Sequence, residues 1–233
     1  MTQMRDFLCN SVYFGVTISL GGYALGLMLK KRWKCGICNP LLISVIVTII
    51  AILLLGVDYE SYNQSAQYLS YLLTPATVCL AIPLYQQIVL LKKNMMAILL
   101  GITAGVLSSL GSVLALAFVF GLEHEYYVTL LPKSITTAIG MGVSEELGGI
   151  VTITVAVILI TGIFGNVMGE TICKLFHIYE PIAVGLAFGT SSHAVGTAKA
   201  LELGEIEGAM SSLSIAVAGI LTVIGASVFA TFL

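Results

Sequence analysis

"GTSSHAVGTA" occupies residues 189–198, between apolar stretches suited to lipid, and it is crowded with groups that lipid leaves unsatisfied. A hydrocarbon core offers no water to a freed N–H or C=O, so irregular backbone persists at membrane depth only where it faces protein or a wet cavity. Thr190, Ser191, Ser192 and His193, set between Gly189 and Gly196, therefore read as an interrupted helix bordering a cavity. The plainer alternative is that these small residues let helices pack closely and that the hydroxyls bond back onto their own helix. His193 favours the cavity, because an ionisable group inside a membrane marks a functional site by default.

The rest of the chain supplies the membrane. Of 233 residues, 58% are hydrophobic and 9% charged, and the mean hydropathy is +1.03. A soluble domain carries about 25% charged residues, so this is an integral membrane protein. The net charge of −2 and the lack of a basic patch beyond "KKRWK" (30–34) point away from nucleic acid. Apolar windows at 7–29, 40–57, 68–91, 95–120, 150–168 and 208–233 are each suited to a crossing, with basic turns and acidic loops alternating through the first four. "DYESYNQSAQ" (58–67) reads as an external polar loop. Segments 129–149 and 181–203 are apolar but interrupted, and either crosses as a broken helix or re-enters on one side. The fold class is all-α and polytopic, with seven or eight membrane segments forming one transport domain over 1–233.

An internal echo accompanies these breaks. At an offset of 59, "PATVCLAIPLYQQ" (75–87) sets Pro83 on Gly142 and Gln86–Gln87 on Glu145–Glu146; one residue further out, 97–107 resembles 157–167, with Gly105 on Gly165. Internal duplication of this kind is common in secondary transporters, whose interrupted helices meet near the midplane. Pro75, Pro83, Gly142, Gly189 and Gly196 are the expected helix breaks, with Gly140 beside them. Stretches 75–83, 134–149 and 189–197 are expected to face one cavity.

Helix ends exposed at such breaks suit a small anion. Thr136, Thr137, Thr190, Ser191, Ser192 and His193 are the candidate substrate ligands, with Thr136 or Thr137 expected within reach of 191–193. Glu145, Glu146 and His193 are candidates for proton or ion coupling, since a carboxylate beside a bound anion must be protonated to avoid repulsion. The two glutamates point about 100° apart on a helix, so one faces the cavity, or both lie at the headgroups if the segment is a short hairpin. Lys133 and Lys199 read as residues snorkelling to the interface. "CGIC" (35–38) reads as a juxtamembrane loop rather than a metal or redox site. No nucleophile elbow, zinc-protease motif or phosphate loop occurs, so neither enzyme, metal nor cofactor is expected.

"PLYQQ" after a broken helix, "KSITTAIGMGVSEELGG" and "GTSSHAVGTAKALELGEIEGAMSSL" together resemble the LrgB/CidB family of bacterial membrane proteins, along the whole chain. The family is described as antiholin-like, modulating murein hydrolase export and cell lysis with a small LrgA/CidA-type membrane partner. Related plastid proteins carry glycolate and glycerate, and some bacterial pairs are linked to pyruvate uptake. The resemblance implies a multi-pass protein of the bacterial cytoplasmic membrane, working with a separate partner chain, and a homo-oligomer is expected. The leading expectation is a secondary carrier of small monocarboxylates; the alternative is a holin- or antiholin-like role. Polarity concentrated at the breaks, with 41–57 and 150–168 nearly bare, favours the carrier over a pore.

Overall fold

A computed structural model describes residues 11–33 and 39–233; "CGIC" lies outside them. Every regular element among the described residues is helical. The chain divides into two compact units, Met1–Cys79 and Leu80–Leu233. Four stretches are long and apolar enough to cross a membrane, namely Tyr59–Gln86, Met95–Phe120, Val151–Leu175 and Glu205–Phe232.

In the first unit, helices α1 (Phe14–Trp33) and α2 (Pro40–Leu55) pair. The Asn39 side chain caps α2 by accepting from the N–H groups of Leu41 and Leu42, and Gly56, at φ 62°, closes it. Ser44 Oγ donates to the Ser19 carbonyl (2.8 Å), giving the apolar pair one polar clasp. The polar stretch expected as a loop is instead helix α3 (Tyr59–Ser70). Asp58 caps it by accepting from Ser61 N–H, and buried Ser65 accepts from Gly15 N–H at 2.8 Å, so its polar groups are spent on structure. Helix α4 (Leu73–Cys79) ends this unit.

The second unit opens with two short six-residue pieces, α5 (Ala81–Gln86) and α6 (Ile88–Lys93), followed by the long helix α7 (Met95–Phe120). Pro75 and Pro83 are each the third residue of a short helix, α4 or α5, and the interruptions at 71–72 and Leu80 fall just before them, where a proline withholds the N–H that would continue the preceding turn. Gln87 and Asn94 mark two further interruptions.

Segment 124–149 is a helical hairpin. Helix α8 (His124–Leu130) rises to a turn at 131–136, and α9 (Thr137–Glu146) descends beside it. The descent shows in Gly140, whose missing Cβ would lie 3.5 Å from the Pro132 carbonyl, and in Gly149, which returns to the Thr129 backbone. A buried hydroxyl knot fixes the base: Thr129 Oγ1 accepts from Ile150 N–H (2.8 Å), while Thr154 Oγ1 is bonded to the Thr129 carbonyl (2.9 Å) and Ser144 Oγ (2.7 Å). Gly142 is helical within α9; the backbone turns instead at Gly148, whose φ is 80°.

Helix α10 (Val151–Leu175) then leads to α11 (Pro181–Leu203), which is a second hairpin. Its single non-helical residue is His193 (φ 42°, ψ −141°). A Cβ on Gly196 would lie 2.8 Å from the Phe188 carbonyl, whereas eight residues of straight helix would separate the two by about 12 Å. The arms 181–192 and 194–203 therefore fold back on one another about His193. Helix α12 (Glu205–Phe229) confirms this by meeting both arms at one level: Gly189 approaches Ser211, and Thr197 Oγ1 lies 2.7 Å from Ser211 Oγ. Gly189 and Gly196 are thus close-approach residues rather than breaks, because only a residue without Cβ fits against the neighbouring backbone.

The two hairpins enter from opposite ends of α7. Gly101 meets Leu186 and Gly105 meets Thr190, so the first arm of α11 runs parallel to α7 and brings His193 to about its middle. The first hairpin follows from the far end of α7, and its turn also reaches the middle, where Lys133 and Ser134 contact Ser109. Its base is tied to the end of α12 by Tyr127 Oη donating to the Phe229 carbonyl (2.8 Å). The core joins one stripe of α7, from Ile98 through Ile102, Val106, Leu110 and Val113 to Ala117, to Tyr127, Met210 and Ala218. Its spacing of three or four residues is the helical period of a buried face.

Candidate functional site

A cavity of about 630 Å³ lies between α7, α10, the turn of the first hairpin and the first arm of the second. At its polar end the Lys133 ammonium donates to Ser109 Oγ (3.3 Å) and Ser134 Oγ (3.1 Å), and these two hydroxyls lie 3.0 Å apart. Thr161, Ser191 and Ser192 complete that end. No carboxylate among the described residues lies within ion-pair distance of Lys133; the ion pairs there join Glu170 to Lys174 and Lys199, and Lys199 to Glu202. Among the described residues, Lys133 and Cys173 are the only lining side chains that titrate. A half-buried cation held by neutral hydroxyls has the chemistry to receive a small anion.

The expected ligands divide. Thr190, Ser191 and Ser192 line the cavity; Thr136, Thr137 and His193 do not. Thr190 and Ser191 also bond back to the Leu186 and Ala187 carbonyls (both 2.7 Å), so their hydroxyls serve the helix as well as facing the cavity. Ser192 is wedged against Gly165 of α10, and its Oγ lies 2.9 Å from Ser191 Oγ. His193 is buried and turned toward α10, where Nε2–H donates to the Ile158 carbonyl at 3.0 Å. Its ring lies over Gly162, and Asn166 of the same helix donates to the Val195 carbonyl at 2.6 Å. Helix α10 therefore satisfies the turn that His193 makes. Glu145 and Glu146 are exposed at the end of α9 and do not line the cavity, as a short hairpin requires. Residues 75–83 do not line it either.

Lys133, Ser109 and Ser134 were missed by reasoning that treated a lysine between apolar segments as a snorkelling residue. The usable signal was "SSLGS" (108–112), which places Ser108, Ser109 and Ser112 on adjoining faces of an otherwise apolar span.

Residues 19–232 match the LrgB-like family. The chain is 36% identical over 222 residues to proteins named "Antiholin-like protein LrgB" from Bacillus mycoides and Bacillus cereus, covering 95% of this chain and 96% of theirs. A protein of that name from Bacillus anthracis matches to the same extent. No solved structure matches.

Proposed function

The chain belongs to the LrgB-like family, and we propose that this antiholin-like membrane protein is a secondary carrier of small monocarboxylates of the pyruvate, glycolate and glycerate class. The observation that carries the reading is Lys133, a cation without a carboxylate partner among the described residues, at the polar end of the cavity. Opposed hairpins whose turns approach from either end of α7 supply what alternating access needs, two movable closures around one site. They also support an internal duplication, in which α7 with the first hairpin corresponds, inverted, to α10 with the second. The 97–107 and 157–167 echo falls on the two long helices of that scheme. Seven or eight membrane segments, a bacterial cytoplasmic location, an LrgA-type partner and a homo-oligomer complete the proposal. Glu145 and Glu146 have no part in it as ligands.

The test is uptake of labelled pyruvate, glycolate and glycerate into proteoliposomes, with and without the LrgA-type partner. Saturable uptake whose apparent affinity Lys133→Gln weakens by roughly ten- to a hundredfold is the expected result; uptake by neither preparation would overturn the reading.

The names of the relatives favour a second reading, a modulator of murein hydrolase activity and lysis. That reading predicts an altered autolysis rate on deletion, restored in full by the Lys133→Gln chain. A carrier whose transport underlies the phenotype would not be replaced by that variant.

A further inference from the structure

The cavity occupies one half of the second unit. Its lining runs from Gly101 to Ser112 on α7 and from Thr161 to Cys173 on α10, and it opens past Phe164 and Ile172, both exposed. Toward the other end of these helices the core takes over. Val113 and Ala117 of α7 are buried in one apolar cluster with Tyr127, Leu131, Ile135 and Val143 of the first hairpin. The open half has a definite side. The second unit contains no arginine, and its lysines other than Lys133 stand at the open end: Lys92 and Lys93 in the last turn of α6, Lys174 in the last turn of α10, and Lys199 paired with Glu170. Glu123, Glu125, Glu145 and Glu146 stand at the opposite end. By the positive-inside rule the lysine end is cytoplasmic.

The first hairpin is tied differently at its two ends. Its base is anchored by Tyr127 on the Phe229 carbonyl and by the Thr129, Ser144 and Thr154 hydroxyl knot against α10. Its turn meets α7 through Ser109, whose Oγ accepts from Lys133 Nζ (3.3 Å) and lies 3.0 Å from Ser134 Oγ. The bond from Lys133 Nζ to Ser134 Oγ is internal to the turn and travels with it. Leu131 and Ile135 add apolar packing, which is not directional. From this arrangement we propose that the structure is the cytoplasm-facing state of the carrier, that the first hairpin is its outer gate, and that Ser109 is the positioning residue that holds the gate shut. The proposal rests on the anion-carrier reading and assigns the moving part. Alternating access keeps one closure shut while the other is open. Release of the turn from Ser109 would swing it about the anchored base and carry Lys133, the partner of the anion, toward the outer side.

The experiment uses the full chain with its native cysteines replaced by serine and one probe cysteine introduced, treated with a membrane-impermeant methanethiosulfonate in inside-out and right-side-out vesicles. Ala183→Cys, at the open end, should react from the cytoplasmic face only. Val113→Cys should be inert from the outer face, and adding Ser109→Ala should raise its outer-face reaction by about two- to tenfold, the scale of a lost hydrogen bond. In the chain that keeps its cysteines, half-saturation by pyruvate is measured from each face of oriented proteoliposomes at zero potential. Ser109→Ala should lower the outer value and raise the inner one, whereas a general loss of structure would not move them in opposite directions. Reaction of Ala183→Cys from the outer face only, or a Ser109→Ala chain in which neither the labelling nor the two half-saturation values separate, overturns this inference and leaves the carrier reading standing where pyruvate uptake is saturable. Both probe cysteines reacting from either face would reveal a continuous pore and overturn both.

Discussion

Lys133 and His193 exchange the roles their sequence contexts imply. A lysine near a helix end ordinarily snorkels, yet the turn at 131–136 aims Lys133 into the interior, where Ser109 and Ser134 replace part of its hydration. Removing its charge deprives an anion of its one ionic partner. Lys133→Gln should therefore reduce carboxylate affinity by about 1.5–3 kcal/mol, the worth of a hydrogen bond to a charged group, or roughly ten- to a hundredfold in Kd. Lys133→Arg should retain part of the affinity, and titration of the purified variants measures both. His193 holds a left-handed conformation costing on the order of 1–3 kcal/mol and is kept there by its bond to the Ile158 carbonyl. His193→Ala should lower thermal stability by about 1–3 kcal/mol, because the turn keeps its backbone strain while losing the bond to the Ile158 carbonyl and the packing of the ring over Gly162. The pH profile of transport should be unchanged. An altered profile in a variant of normal stability would return His193 to a coupling role.

At the scale of elements, the small residues of α10 set how closely the second hairpin approaches. Gly162, Gly165 and Gly169 face His193, Ser192 and Phe188 in turn, an i, i+3, i+7 row that leaves no room for Cβ atoms. Gly165→Ala would drive a methyl group into the Ser192 hydroxyl, so it should destabilise the hairpin by about 1–3 kcal/mol, as overpacking does. Ser192→Gly in the same chain should recover most of that loss, and a thermal-melt double-mutant cycle would report a coupling that independent sites lack. Sequence reasoning reached the interruption at 189–197 and its neighbourhood to a cavity because "TSSH" inside an apolar run is costly in lipid. It placed the break on Gly189 and Gly196 because glycine is the usual residue of irregular backbone. Tertiary contact decided otherwise: those glycines admit Ser211 and Phe188, while the Ile158 carbonyl and Asn166 stabilise a turn at histidine. Pro75 and Pro83 stand just after interruptions, at 71–72 and Leu80, but residues 75–83 do not line the cavity. The part of the site on α7 was illegible, because serines one and four residues apart look the same whether they face a cavity or a neighbouring helix.

The charge inventory of the cavity sets the energetics of the whole molecule. Lys133 is the one charged residue of the lining among the described residues, so on the proposed carrier reading the loaded site is neutral and the empty site carries one positive charge. Each complete inward cycle then moves one negative charge, and the membrane potential acts on the return of the empty carrier. An elementary charge crossing 100 mV is worth about 2.3 kcal/mol, so about 60 mV corresponds to a tenfold accumulation ratio. An inside-positive potential imposed with potassium and valinomycin should drive net uptake of the carboxylate into proteoliposomes, and an inside-negative one should drive export. A carboxylate in the cavity would reverse this by taking up a proton with each anion, making transport electroneutral. Glu145 and Glu146, exposed at the end of α9, are not placed to do so. Replacing both with Gln should accordingly leave the response to potential intact. Accumulation that follows a pH gradient at clamped zero potential, and is lost in the double Gln variant, would show that the first hairpin moves those carboxylates into the transport path and that Lys133 does not act alone.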